Sequence, residues 1–154
     1  GCTYRYSGFS QAITGWTPEL SDLRDRLEAA HGVRFNSLLL NRYRSGADRM
    51  GWHADDEAEL DDRAPIASLS LGAPRDFRLR PQPSPRNRAA VASGACQSPA
   101  GFGDCTPFNI PLHNGDLLLM EPPTQLWWQH ALPRRLRLQQ QRLNLTFRVV
   151  RSVT

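Results

Sequence analysis

The chain has 154 residues, 40% of them apolar and 22% charged, a balance that suits one folded domain with a real core and excludes a disordered tail. No apolar run approaches the roughly 20 residues of a membrane span; the clearest, Leu38 to Leu40 and Leu117 to Met120, are strand-sized. All 19 basic residues are Arg, and they are unevenly spread: residues 1–62 carry a balance of −4 and residues 63–154 one of +8. The second half therefore suits a polyanionic partner, because Arg meets phosphate in bidentate geometry, although a merely solvated basic surface reads the same way.

The chain opens at Gly1, with no Met and no charged-then-apolar signal segment after it, and reads as a sequence that has lost its front. Thr17-Pro18-Glu19 opens a helix with an N-cap and a first-turn proline; Leu20, Leu23 and Leu27 share one face, and Gly32 stops it. A strand is expected from Phe35 to Tyr43, then a turn-like stretch from Arg44 to Gly51 and an acidic loop from His53 to Asp62. Further strands are expected at Ile66 to Leu71 and Asp76 to Arg80, joined by the turn Gly72-Ala73-Pro74-Arg75. Residues 81–105, rich in Pro, Gly, Ser and Ala, read as a long flexible insertion between strands. The last third predicts strands at Phe108 to Leu112, Asp116 to Met120, Leu126 to Leu132 and Leu143 to Val150, with His113-Asn114-Gly115-Asp116 as a hairpin turn. One helix and seven or eight short strands predict a mainly β, α+β domain: a sandwich or open barrel with a helix on one side.

Cys2, Cys96 and Cys105 are an odd set without CxxC spacing and read as plain thiols in a reducing compartment. Of the four histidines, His31 at a helix C-terminus and His113 in a turn read as structural or solvated. His53 stands in Trp52-His53-Ala54-Asp55-Asp56-Glu57. In extended backbone, a His-x-Asp pair points to one face, where an imidazole and a carboxylate can share a metal. His130, on a predicted strand beside Trp127 and Trp128, is either a core histidine or a third ligand. Two His and one carboxylate form the facial triad of non-haem Fe(II) oxygenases. Alternation along Arg142-Leu143-Asn144-Leu145-Thr146-Phe147-Arg148 sets Arg142, Asn144, Thr146 and Arg148 on one face. Such a face turned inward is costly unless anions satisfy it, and a small dicarboxylate would do so. Asn41 and Tyr43 share a face in the same manner.

Asn41-Arg42-Tyr43, His53-Ala54-Asp55-Asp56-Glu57, Pro65-Ile66-Ala67-Ser68-Leu69-Ser70-Leu71-Gly72-Ala73, His130 and the Arg142 to Arg148 run together resemble the AlkB family, nearest its eukaryotic DNA-repair homologues. The resemblance runs from about Thr3 to Arg148, apart from residues 81–105. It implies a double-stranded β-helix core (jelly-roll, cupin-like) and Fe(II)- and 2-oxoglutarate-dependent oxidation, by O2, of N-methyl groups on bases, with release of formaldehyde and succinate. His53, Asp55 and His130 would bind iron. Arg142, with Tyr43 and Asn144, would hold the far carboxylate of 2-oxoglutarate; Arg148, with Asn41, would hold its iron-chelating end; Thr146 shares their face. Asp56 and Glu57 would line the damaged-base pocket, where a cationic N1-methyladenine or N3-methylcytosine is drawn by Coulomb attraction. Tyr4 and Tyr6 would close over the flipped base, Tyr6 by stacking. Arg134, Arg135 and Arg137 would grip the nucleic-acid backbone. The insertion at 81–105 has no clear match in the family, and its Arg86 and Arg88 are open to phosphate or to solvent alone.

The family's N-terminal portion, including the hairpin elements that help cover substrate, would lie before Gly1. The expected partner is alkylated DNA, with RNA as the rival substrate; the expected state is a monomer, away from membranes, and nuclear by resemblance alone. A catalytically inactive nucleic-acid-binding module is the alternative of another class. A hydrolytic zinc site lacks a separate acid/base carboxylate and leaves the paired arginines unexplained.

Overall fold

The computed structural model describes residues 3–6, 9–12, 14–83 and 106–151, with side chains from residue 14 onward. The expectations for Cys2, Arg86, Arg88, Cys96, Cys105 and the 84–105 part of the insertion lie outside the described residues, as do those for the side chains of Tyr4 and Tyr6. A first pair of strands, β1 (Thr3–Tyr6) and β2 (Phe9–Ala12), forms an antiparallel ribbon that the sequence pattern did not predict.

Helix α1 (Pro18–His31) starts where expected. The Thr17 side chain accepts from the Leu20 N–H at 3.4 Å, and Gly32, at φ 69°, donates back to Glu28, a left-handed stop that glycine adopts without strain. His31 is exposed in the last turn. The leucine face of α1 lies against one sheet, where Leu27 and Phe35 are buried with Ala67, Leu145 and Phe147. Trp16 stacks on Phe147 at 6.2 Å. Burying a side chain such as Phe147 contributes about 1.5–3 kcal/mol.

Eight further strands form two four-stranded antiparallel sheets. The first, in the order β3 (Ser37–Tyr43), β10 (Arg142–Arg148), β5 (Ile66–Gly72), β8 (Leu117–Met120), carries α1 on its outer face. The second runs β4 (Met50–His53), β9 (Trp128–Leu132), β6 (Arg75–Pro81), β7 (Phe108–Leu112). Two facing antiparallel sheets, with the chain crossing from one to the other at every step from β3 to β10 except the β6–β7 pair, constitute the jelly-roll architecture. A core of Ile66, Phe77, Leu79, Leu112, Met120 and Trp128 fills one part of the space between them. The rest of that space is polar: Ser68, Ser70, Arg142, Thr146 and Arg148 are all buried. Period-two alternation explains the division, since Ala67, Leu69, Leu143, Leu145 and Phe147 point to α1 and their neighbours point inward.

Three expectations need correction. The turn-like stretch Arg44 to Gly51 ends in strand β4, a short element containing Gly51 that carries no clean alternation. The expected strand Leu126 to Leu132 begins instead as a single helical turn, α2 (Thr124–Trp127), before β9. The stretch His113 to Asp116 does turn, with Gly115 at φ 87°, but it is no hairpin: β7 and β8 belong to different sheets, and the turn is a corner. His113 is exposed there and bonds Asp116. No described helix is long and apolar enough to cross a membrane.

Candidate active site

The ladder between β4 and β9 sets His53 directly opposite His130. A register shift between Met50 and His53 re-aims the strand, and both side chains line the cleft between the sheets. Asp55 follows just beyond the strand end on the same side. Ligand atoms of His53, Asp55 and His130 all lie within 4.8 Å of one another, with His130 Nε2 3.6 Å from Asp55 Oδ2. Donors bonded to one ion at about 2.1 Å stand about 3 Å apart when adjacent, so a small contraction closes this set on a single cation.

Each donor is prepared for that. His53 Nδ1 lies 2.9 Å from the Gly51 carbonyl, which takes the ring proton and leaves the Nε2 lone pair free. His130 is 5% exposed and stacked on Phe77. Burial, against the pull of Asp55, holds its pKa down at about 4, so the imidazole is neutral at pH 7. Asp55 Oδ1 accepts a 2.5 Å bond from Arg148, and the Asp55 N–H donates to Gln125 Oε1 at 2.9 Å. Two imidazoles and one carboxylate suit ferrous iron and leave half its coordination sphere open.

The inner face of β10 supplies the other end of the cleft. Arg142 is 2% exposed. Its NH2 donates to Ser70 Oγ at 2.6 Å and more weakly to Asn144 Oδ1 at 3.4 Å. Its Nε and NH1 are buried with no hydrogen-bond partner among the described residues. Asn144 is fixed between Ser68, which donates to it at 3.0 Å, and Thr146, to which it donates at 2.8 Å. A buried guanidinium with open donors is costly until an acceptor arrives, and a carboxylate matches its fork. The cleft is lined by the metal-ligand set, by Asn41, Tyr43, Asn144 and Thr146, and by both arginines.

In the β3–β10 register Tyr43 is opposite Arg142 and Asn41 opposite Asn144; Arg148 is opposite Ser37, is bonded to Asp55, and lines the same cleft as Asn41. Asp56 is exposed, whereas Glu57 is half-buried, and burial raises its pKa. Arg134 and Arg137 are exposed beside a groove also lined by His113 and Pro111. Arg135 is different, because it forms an ion pair with Asp76.

Sequence reasoning missed three supporting residues. Ser70, Arg142's partner, was visible only as the small inward position of Ile66-Ala67-Ser68-Leu69-Ser70. Gln125 gave no signal, lying just before the expected strand Leu126 to Leu132. Arg75, assigned to a turn, is the first residue of β6 and is 2% exposed. It donates to the carbonyls of Ser45, Asp48 and Pro133, and its guanidinium lies 5.8 Å from the Tyr43 ring. It thereby ties the segment after β3 to the loop after β9. Gly46 completes the junction, exchanging backbone bonds with Arg135 and Leu138, and a Cβ there would overlap the Arg135 carbonyl.

Two imidazoles and a carboxylate inside a jelly roll, with a buried guanidinium facing the same cleft, define the class of non-haem iron oxygenases that use an acidic cosubstrate. Residues 1–148 match the family described as the 2OG-Fe(II) oxygenase superfamily, and the chain belongs to it, as a member of the AlkB family. Membership assigns Fe(II), 2-oxoglutarate and O2 as the cofactor and cosubstrates. The chain is 40% identical to the human DNA oxidative demethylase ALKBH2 over 154 residues, covering 97% of this chain and 53% of the relative. It is 42% identical to the human alpha-ketoglutarate-dependent dioxygenase alkB homolog 3 over 138 residues, covering 88% and 43%. It is also 36% identical to the Arabidopsis thaliana DNA oxidative demethylase ALKBH2 over 151 residues, covering 94% and 48%. The chain thus spans about half the length of these relatives. The solved structure of OsALKBH1 shares the fold, at a TM-score of 0.58 and 20% identity, over 97% of this chain and 72% of that one.

Proposed function

We propose that this chain is an oxidative demethylase of N-alkylated bases in DNA, acting on lesions such as N1-methyladenine and N3-methylcytosine. The observation that carries the reading is the meeting, in one cleft, of the His53, Asp55, His130 set with the open donors of Arg142. The similarity to DNA oxidative demethylases supports DNA as the substrate and the nucleus as the place of action. Fe(II), when bound, supplies the oxidising chemistry, in which 2-oxoglutarate and O2 are converted to succinate and CO2 with transfer of one oxygen atom to a C–H bond.

The chain's own residues position and exclude. Arg142, braced by Ser70 and Asn144, holds a cosubstrate carboxylate at the far end of the cleft and so fixes which end meets the metal. Arg148 holds the Asp55 carboxylate in place by a direct hydrogen bond. Phe77, Met120 and Trp128 form a dry wall behind the site, which strengthens each of these charge interactions. The acidic pair Asp56 and Glu57 favours a cationic methylated base over a neutral one. Such a base must leave the stack, at a cost of a few kcal/mol that is least where methylation already blocks pairing. Hydroxylation of the N-methyl carbon gives a hemiaminal, which collapses to formaldehyde and the unmodified base. Arg134 and Arg137 offer phosphate contacts beside the groove.

Incubation with Fe(II), 2-oxoglutarate and single- or double-stranded oligonucleotides containing N1-methyladenine tests the reading. Stoichiometric formaldehyde and restored adenine are expected. DNA binding without either product, with metal and cosubstrate supplied, would replace it with a binding module.

A further inference from the structure

The metal ligand Asp55 is not held by a strand. β4 ends at His53, and the described pairs of the β4–β9 ladder end at His53 with His130. The main chain at Asp55 would thus be free to tilt, moving its carboxylate with it, were its N–H not bonded elsewhere. That N–H donates to the Gln125 side-chain oxygen at 2.9 Å, across 70 residues of sequence. Gln125 is itself fixed at three points. Its Nε2 faces the Met120 sulfur at 3.5 Å, its own carbonyl accepts from Gln82 Nε2 at 2.7 Å, and it sits in the single turn α2 just before the strand that carries His130. The Gln82 N–H also bonds the Trp127 carbonyl at 2.8 Å, so the residue just after β6 clamps α2.

We infer that Gln125 is a positioning residue for the metal centre: it sets the Asp55 carboxylate relative to His130 by holding the Asp55 backbone. The inference rests on the metal reading proposed above. Two arms locate Asp55. Arg148 fixes the carboxylate from one side, and Gln125 fixes the main chain from the other. Because α2 runs directly into β9, one continuous segment carries both Gln125 and His130 and locks the spacing between two ligands that the sequence separates by 75 positions. Loss of an outer partner of this kind weakens metal binding by about 10–100-fold in well-studied sites.

The test is anaerobic Fe(II) titration of the protein, together with melting of the metal-free form, for wild type, Gln125→Leu, Gln125→Ala and Gln125→Glu. Leucine and alanine remove the acceptor; glutamate keeps an oxygen at the same reach and adds charge that favours a dication. The expected result is Fe(II) affinity about 10-fold or more weaker for Gln125→Leu and Gln125→Ala, and near wild type for Gln125→Glu. The 2-oxoglutarate KM should change less than the metal affinity, because the Arg142 group is untouched. Unchanged Fe(II) affinity in the leucine and alanine variants, or a glutamate variant as weak as they are, would overturn the inference while leaving the metal reading intact. A lower melting point without weaker metal binding would mark Gln125 as merely structural and overturn it too. Wild-type protein that binds no Fe(II) would overturn the metal reading itself.

Discussion

Replacing Arg148 with methionine strands a carboxylate. The side chains of Asp55 and Arg148 are each 3% exposed and meet at 2.5 Å, so the pair is buried and directly bonded. Removing one partner of a buried pair costs about 3–5 kcal/mol, because the remaining charge is left without compensation. For a domain of this size each kcal/mol moves the melting point by about 2–4 °C, so metal-free Arg148→Met should melt about 6–20 °C below wild type. A dication bound at His53, Asp55 and His130 replaces the missing positive charge on the same carboxylate. Loading with Fe(II) under anaerobic conditions, or with Mn(II), should therefore raise the variant's melting point more than it raises that of wild type. Arg148→Lys, which keeps the charge but loses the fork, should fall between the two. Melts followed by circular dichroism, with chelator and with metal, measure all of these. A metal-free Arg148→Met variant that melts with wild type, or a deficit of equal size with and without metal, would refute the reasoning.

Arg142→Met should raise the 2-oxoglutarate KM by about 10–100-fold, since a charged hydrogen-bonding donor contributes about 1.5–3 kcal/mol; cosubstrate kinetics at saturating DNA read this directly, and an unchanged KM would place the anion elsewhere. Arg134→Ala and Arg137→Ala should each lower the dependence of log K on log salt in DNA binding by about 1 and weaken binding evenly across sequences. Arg135→Ala, whose guanidinium already pairs with Asp76 at the surface, should flatten that slope less and change stability by under about 1 kcal/mol. Arg75→Met should lower the unfolding free energy by about 2–4 kcal/mol in urea melts, because it leaves the carbonyls of Ser45, Asp48 and Pro133 without their donor.

The parts legible in the sequence are those governed by local periodicity. The cap, leucine face and glycine stop of α1 are written within Thr17 to Gly32, and alternation on β10 already turned Arg142, Asn144, Thr146 and Arg148 to one side. What stayed hidden depends on which strands meet. A Gly-containing corner such as His113 to Asp116 has the same composition whether its flanking strands pair or enter different sheets. An apolar run such as Leu126-Trp127-Trp128 does not announce that its first residues are a helical turn. That Asn41 lies opposite Asn144 was hidden for the same reason, because only the β3–β10 register reveals it. Supporting residues are the least legible of all. Gln125, Ser70 and Arg75 act through contacts across 70, 72 and 27 to 58 positions, and no local pattern encodes such contacts.

The central claim is that three distant side chains share one ferrous ion, with the cosubstrate acid held against Arg142. Crystals of the protein grown with Fe(II) or Mn(II) and 2-oxoglutarate, examined for anomalous scattering at the metal edge, test it most directly. The account predicts one peak within bonding distance of His53 Nε2, an Asp55 carboxylate oxygen and His130 Nε2, with the far carboxylate of 2-oxoglutarate on Arg142. A peak ligated by other residues, or an acid bound away from that guanidinium, would contradict it.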